Sequence, residues 1–127
     1  MKLRTTHNSI RIRVRKSELA SLQKEHFIQE SIQFPSNICF KFAIEISFEQ
    51  EQLEASLENH HLVLSIPQKE AAQWISSSQV GIEKHLQVAN NEQLHILIEK
   101  DFPCLDRENE DKSDTFWELV PEKTDAC

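Results

Sequence analysis

Three arginines, Arg11, Arg13 and Arg15, alternate with Ile10, Ile12 and Val14, and this is the densest chemistry in the chain. Alternation of this kind is the period of a half-buried strand, with the apolar residues on one face and the cations on the other. Successive guanidinium groups then stand about 6.6 Å apart. Lys2 and Arg4 are expected on the neighbouring strand. Five cations on one face can grip a phosphate or carboxylate through paired N–H donors. They can equally be spent on carboxylates of the same chain, and Glu99 and Asp101, two residues apart on a later strand, are the preferred partners. Nucleic acid is a poorer fit, because no aromatic residues interleave the arginines to stack on bases.

Other residue types offer less. Cys104 follows Lys100-Asp101-Phe102-Pro103, and Lys100 or Arg107 can favour its thiolate, whereas Asp101 and Asp106 oppose it. A cysteine nucleophile also needs a base, and none of His7, His26, His60, His61, His85 or His95 stands at a recognisable spacing from it. The plainer reading of Cys104 is a small buried hydrophobe. Glu99 and Asp101 could serve as an acid–base pair, though an ion pair with the arginines explains them more simply. His60 and His61 point to opposite faces of a strand and cannot easily share one ion, and there is no Cys-x-x-Cys, so no metal and no cofactor is expected. The single glycine, Gly81, rules out a glycine-rich phosphate loop, which needs several.

The elements that must carry these residues can be read along the chain. Strands are expected near Leu3–Thr5 and Ile10–Arg15, with Asn8 in the left-handed turn conformation that glycine would otherwise supply. Ser17 is expected to cap a short helix that runs to about Lys24, with Glu18 in its first turn. Strands near Phe27–Phe34 and Ile38–Phe48 flank Pro35-Ser36-Asn37. A hairpin at about Glu54–Leu57 and His61–Ile66 turns at Asn59-His60. A second helix starts near Pro67 and ends near Ser76. Strands near Val80–Val88 and Gln93–Lys100 turn at Asn90-Asn91.

Each half therefore reads hairpin, helix, hairpin. The phrase Ile10–Leu22 is echoed 52 residues later by Leu62–Trp74, with Glu18/Glu70 and Ala20/Ala72 identical. The expected fold is α+β: an antiparallel or barrel-like sheet from two pseudo-repeats at about 1–48 and 53–100, within one domain at 1–105. A mobile acidic tail at 106–127 follows, with an apolar patch at 116–121. That patch either docks back on the domain, the commoner fate of a Phe-Trp pair, or binds a partner.

Charge is lopsided. Residues 1–25 hold seven basic side chains against two acids, and residues 99–127 hold ten acids against four bases, within a net charge of −7. The overall sign disfavours nucleic acid and anionic lipid. No apolar run is long enough to span a bilayer, and Met1–His7 lacks the hydrophobic stretch of a secretory signal. Three widely spaced cysteines fit free thiols in the cytoplasm.

Met1-Lys2-Leu3-Arg4, Asn8-Ser9-Ile10-Arg11, Ser17-Glu18 and Ile98-Glu99-Lys100-Asp101-Phe102-Pro103-Cys104-Leu105 resemble the opening and closing segments of a bacterial family of small uncharacterised proteins. His7 stands where that family tends to have glycine. The resemblance implies the domain boundaries and no activity. The residues themselves point to a cytoplasmic binding or interaction module, with a protein or small anion as partner at Lys2, Arg4, Arg11, Arg13 and Arg15. The alternative is an enzyme that uses Cys104 or the Glu99/Asp101 pair.

Overall fold

The computed structural model describes residues 1–102 and 113–119. Eight strands and two helices follow one another: β1 (Lys2–Thr6), β2 (Ser9–Val14), α1 (Lys16–Glu25), β3 (Phe27–Gln33), β4 (Cys39–Ser47), β5 (Glu54–Glu58), β6 (His61–Pro67), α2 (Gln68–Ser76), β7 (Gly81–Gln87) and β8 (Gln93–Lys100). The fold is mixed α+β, with two four-stranded sheets ordered β1-β2-β8-β7 and β3-β4-β6-β5. The chain forms two compact units, one from residues 1–19 and 78–127 around the first sheet, the other from residues 20–77 around the second.

All four hairpins pair antiparallel, as their short turns require. The expectation of a purely antiparallel sheet is corrected at the centre of each sheet, where β2 pairs parallel with β8 and β4 pairs parallel with β6. Burial accounts for which strands meet there, though not for their direction. Each hairpin has one strand rich in buried aliphatics, and burial is greatest when two such strands lie side by side. In the first unit they contribute Ile12, Val14, Ile96 and Ile98, all fully buried. In the second they contribute Phe42, Ile44, Leu64 and Ile66, and α2 adds Ala71 and Trp74.

Turns are made without glycine. Asn8, Ser36, Asn37, Asn59, His60, Asn90 and Asn91 all adopt positive φ, between 48° and 64°. Asparagine tolerates this region because its short side chain hydrogen-bonds locally. His26 does the same at φ 65°, ending α1 while its N–H donates to the Leu22 carbonyl.

Two local expectations change. Arg15 does not extend β2; it precedes α1, and its N–H donates to Glu18 Oε1 at 2.9 Å, so Glu18 reaches back as in a capping box. Ser17 is not the cap but lies within the first turn. Its N–H donates to Asp114 Oδ1 at 2.9 Å and its hydroxyl to Asp114 Oδ2, so a carboxylate 97 residues away closes the helix start. Beside it, the Phe116 N–H donates to the Asp101 carbonyl at 2.8 Å. The Phe116 ring is buried, with the Lys16 and Lys100 ammonium groups 5.8 and 5.5 Å from its centroid, while Trp117 is half exposed. Of the acidic tail and its patch, residues 106–112 and 120–127 lie outside the described residues.

Gly81 sits opposite Glu99 in the β7–β8 pair. A Cβ at this position would lie 2.7 Å from the Ile98 carbonyl oxygen and 3.0 Å from the Glu99 Cβ. The close approach, not an unusual φ, is what glycine permits here. Gly81→Ala is expected to lower stability by about 1–3 kcal/mol, read from the midpoint of urea denaturation, with an unchanged midpoint as the contrary result.

Candidate functional site

The outer face of the first sheet is a grid. Strand register places Thr6, Ser9, His95 and His85 in one row across β1, β2, β8 and β7. Arg4, Arg11, Leu97 and Glu83 form the next row, and Lys2, Arg13, Glu99 and Gly81 the third. The grid follows from alternation: with Ile10, Ile12, Ile96 and Ile98 turned inward, every second residue must face out.

The third row is an ion-pair ladder. Glu99 Oε1 accepts from Arg11 Nε at 2.6 Å and from Arg13 Nε at 2.8 Å, and Arg11 Nη2 also approaches it. Lys2 Nζ lies 3.1 Å from Asp101 Oδ2, and Arg13 Nη1 lies 3.9 Å from Asp101 Oδ1, which has no hydrogen-bond partner among the described residues. The Arg13 guanidinium also covers the Phe102 ring at 4.7 Å. Glu99 and Asp101 are buried, so the pairs are shielded from water and salt. The carboxylates expected opposite the arginines are there.

The sequence-derived site residues thus fall into groups. Lys2, Arg11 and Arg13 meet Glu99 and Asp101. Arg4 stands across from Arg11, in the row next to that of Lys2, Arg13 and Glu99. Arg15 lies beyond β2 and is exposed. Cys104 lies outside the described residues; Cys39 is a free, half-buried thiol.

The structure adds a cluster that residue spacing concealed. Arg4, Thr6, Ser9, Arg11, His95 and Leu97 line a depression of 250 Å3. His95 is held from both sides. Its Nε2 lies 2.6 Å from Glu83 Oε2, and its Nδ1 lies 3.4 Å from the Ser9 hydroxyl. A carboxylate only accepts, so Nε2 carries a proton and donates, which in the uncharged form of the ring leaves Nδ1 to accept from Ser9. The His85 ring stacks on His95 with centroids 4.5 Å apart and planes 14° apart. The rim is fixed by Asn8 Nδ2, which donates to Glu92 Oε2 at 2.6 Å, and by the His95 N–H, which donates to the Asn8 carbonyl. Ser9 and His95 are 86 residues apart and meet only through the parallel register, which no local pattern announces. Among the described residues, no group of three or more His, Cys, Asp or Glu is placed to hold a metal ion.

With its mixed sheets and this polar face, the chain is an α+β protein whose motifs match a family of unknown function. The model of that family, DUF7009, covers residues 1–119, and the chain belongs to it. No curated protein and no solved structure matches the chain. No helix among the described residues is long and apolar enough to cross a membrane.

Two measurements probe the electrostatics. Glu99→Gln keeps an accepting oxygen but removes the negative charge that two guanidinium groups share, and a loss of about 3 kcal/mol is expected, measured by denaturant unfolding; a loss under 0.5 kcal/mol would assign the ladder no more weight than an exposed pair. Lys100 is the second. Burial holds its ammonium below the ordinary lysine pKa, against the opposing effect of the Glu118 carboxylate. Folded chains then release this proton at a lower pH than unfolded ones. Between the two values the unfolded state holds more protons, so stability rises with pH there, and the burial penalty is present in full below the folded value. Lys100→Met is expected to remove this alkaline gain, seen as a smaller rise in Tm on going from neutral pH toward pH 10 in the variant than in the parent. An equal rise in both would place its origin elsewhere.

Proposed function

We propose that the protein is a binding module for a small anion bearing phosphate or carboxylate, which it holds on the basic face of the first sheet. The observation that carries this reading is the depression between β1, β2 and β8, lined by two arginines, two hydroxyls and an imidazole. Arg4, Arg11 and the Thr6 hydroxyl can each present an N–H or O–H to an anion, and Leu97 supplies the one apolar wall. The ladder sharpens the reading. Glu99 and Asp101 hold Lys2, Arg13 and part of Arg11, and the ligand is assigned to the depression that Arg4 and Arg11 line. Holding Arg11 by its Nε pre-orders its guanidinium, which reduces the side-chain entropy lost on binding.

Within this reading the chain is a cytoplasmic bacterial module built from two pseudo-repeats. The free Cys39 thiol and the odd cysteine count support the compartment. The shared scheme of two hairpins joined through a parallel inner pair, in both sheets, supports the duplication. The alternative of an enzyme using the Glu99/Asp101 pair is weaker, since both carboxylates are committed to cations.

Titration of the isotope-labelled chain with sodium phosphate at constant ionic strength checks the anion reading. Amide shifts are expected to concentrate at Thr6, Ser9, Arg11, His95 and Leu97, and to vanish in an Arg4→Met, Arg11→Met double variant. Shifts scattered over the surface, or unchanged in the double variant, would overturn it.

A further inference from the structure

We propose that Ser9, His95 and Glu83 form a nucleophile–base–orienter relay that cleaves carboxylic esters whose acid part carries a second anionic group. The proposal rests on the anion reading for its substrate class and on an independent observation for its chemistry: the continuous hydrogen-bonded chain from Ser9 Oγ through both nitrogens of His95 to Glu83.

The three residues hold the roles that geometry assigns. Glu83 fixes the proton on Nε2 and turns the Nδ1 lone pair toward the Ser9 hydroxyl. The 3.4 Å separation of Ser9 and His95 is of the loose kind found before substrate arrives, when such contacts have yet to tighten. Stacking on His85 and the backbone bond from the His95 N–H to the Asn8 carbonyl restrict the ring and the strand that bears it. Ser9 and His95 both line the depression that Arg4 and Arg11 line, so the hydroxyl and the cations face the same space.

The reaction balances without an oxidant or cofactor. Ser9 Oγ adds to the ester carbonyl carbon as its proton passes to His95 Nδ1, and Glu83 stabilises the imidazolium. The bond from that carbon to the alcohol oxygen breaks, and His95 returns the proton to the departing alkoxide. Water then adds to the acyl-Ser9 ester by the same route, freeing the acid and restoring the hydroxyl. Ser9 and Arg11 are two residues apart on one face of a strand, with backbones about 6.6 Å apart. The substrate class is therefore the half-ester of a dicarboxylic acid, whose free carboxylate Arg11 can take while Ser9 attacks the ester. Ser9 and His95 are the catalytic residues, and Glu83 is a positioning residue.

The full chain, treated with an alkyl fluorophosphonate and digested for mass mapping, is expected to carry one adduct, on Ser9, absent from the His95→Asn variant. Hydrolysis of 4-nitrophenyl hydrogen succinate is expected to exceed that of 4-nitrophenyl acetate, and to fall about 100-fold in Ser9→Ala and in His95→Asn. Glu83→Gln is expected to change the pH profile of kcat, and Glu83→Asp to restore it in part. No Ser9 adduct in the unsubstituted chain, or half-ester turnover equal in Ser9→Ala and parent, overturns the relay. Phosphate shifts at Arg11 and Leu97 that persist in Ser9→Ala show that the anion reading stands whether or not the relay does; their absence from the parent removes that reading and the substrate class that rests on it, and leaves the relay to the Ser9 adduct.

Discussion

The Glu99 carboxylate sits where the first sheet is joined, accepting from two arginines of the strand beside its own. Much of the outer face depends on that one acceptor. It neutralises cations that would otherwise repel one another along β2, and it holds the Arg11 guanidinium by its Nε. It reaches this position because the only glycine in the chain lies opposite and leaves the space a Cβ would take. The buried setting raises the stakes. A paired charge removed from water is tolerable only while every partner is present.

The same sheet divides its labour by row. At one end acids and bases cancel, and the structure gains a rigid seam. Toward the other end the Thr6 and Ser9 hydroxyls and the His85 and His95 imidazoles meet Glu83 and Glu92, with Arg4 and Arg11 in the row between. The local arrangement of charge on this face, not the net charge of −7, determines what it can attract. The second unit shows the same economy on a smaller scale, where the Ser65 hydroxyl donates to Glu45 Oε1 at 2.6 Å across its own parallel pair.

Element positions were largely legible in the sequence, because alternation at Ile10–Val14 and Phe40–Ile46 and the asparagine-marked turns are local signals. Pairing between hairpins was not. An inner strand alternates in the same way whether its neighbour runs parallel or antiparallel, so the β2–β8 seam left no trace in either segment. The ladder was legible only as charge complementarity, Arg11 and Arg13 against Glu99 and Asp101. The Ser9–His95–Glu83 chain was not legible at all, since a serine at a strand start and a histidine in a strand are ordinary until register brings them together. The Ser17 cap was misread because a local side chain is the usual partner of a helix start, and here Asp114 supplies it from far along the chain.

That long-range closure bears on how the protein is made. The first unit is discontinuous: β1 and β2 are synthesised early, and their partners β7 and β8 emerge only after the whole of residues 20–77. The second unit has all of its strands on hand by then, so on a ribosome it can fold first and hold the ends of its insertion together. Contacts between residues nearly a hundred positions apart form slowly, since their loop must be closed before they stabilise anything. Until the last third of the chain is out, β2 presents an open edge with its arginines unanswered. The cationic row then has a second use in the nascent chain, because charge along an unpaired edge discourages strand-to-strand aggregation.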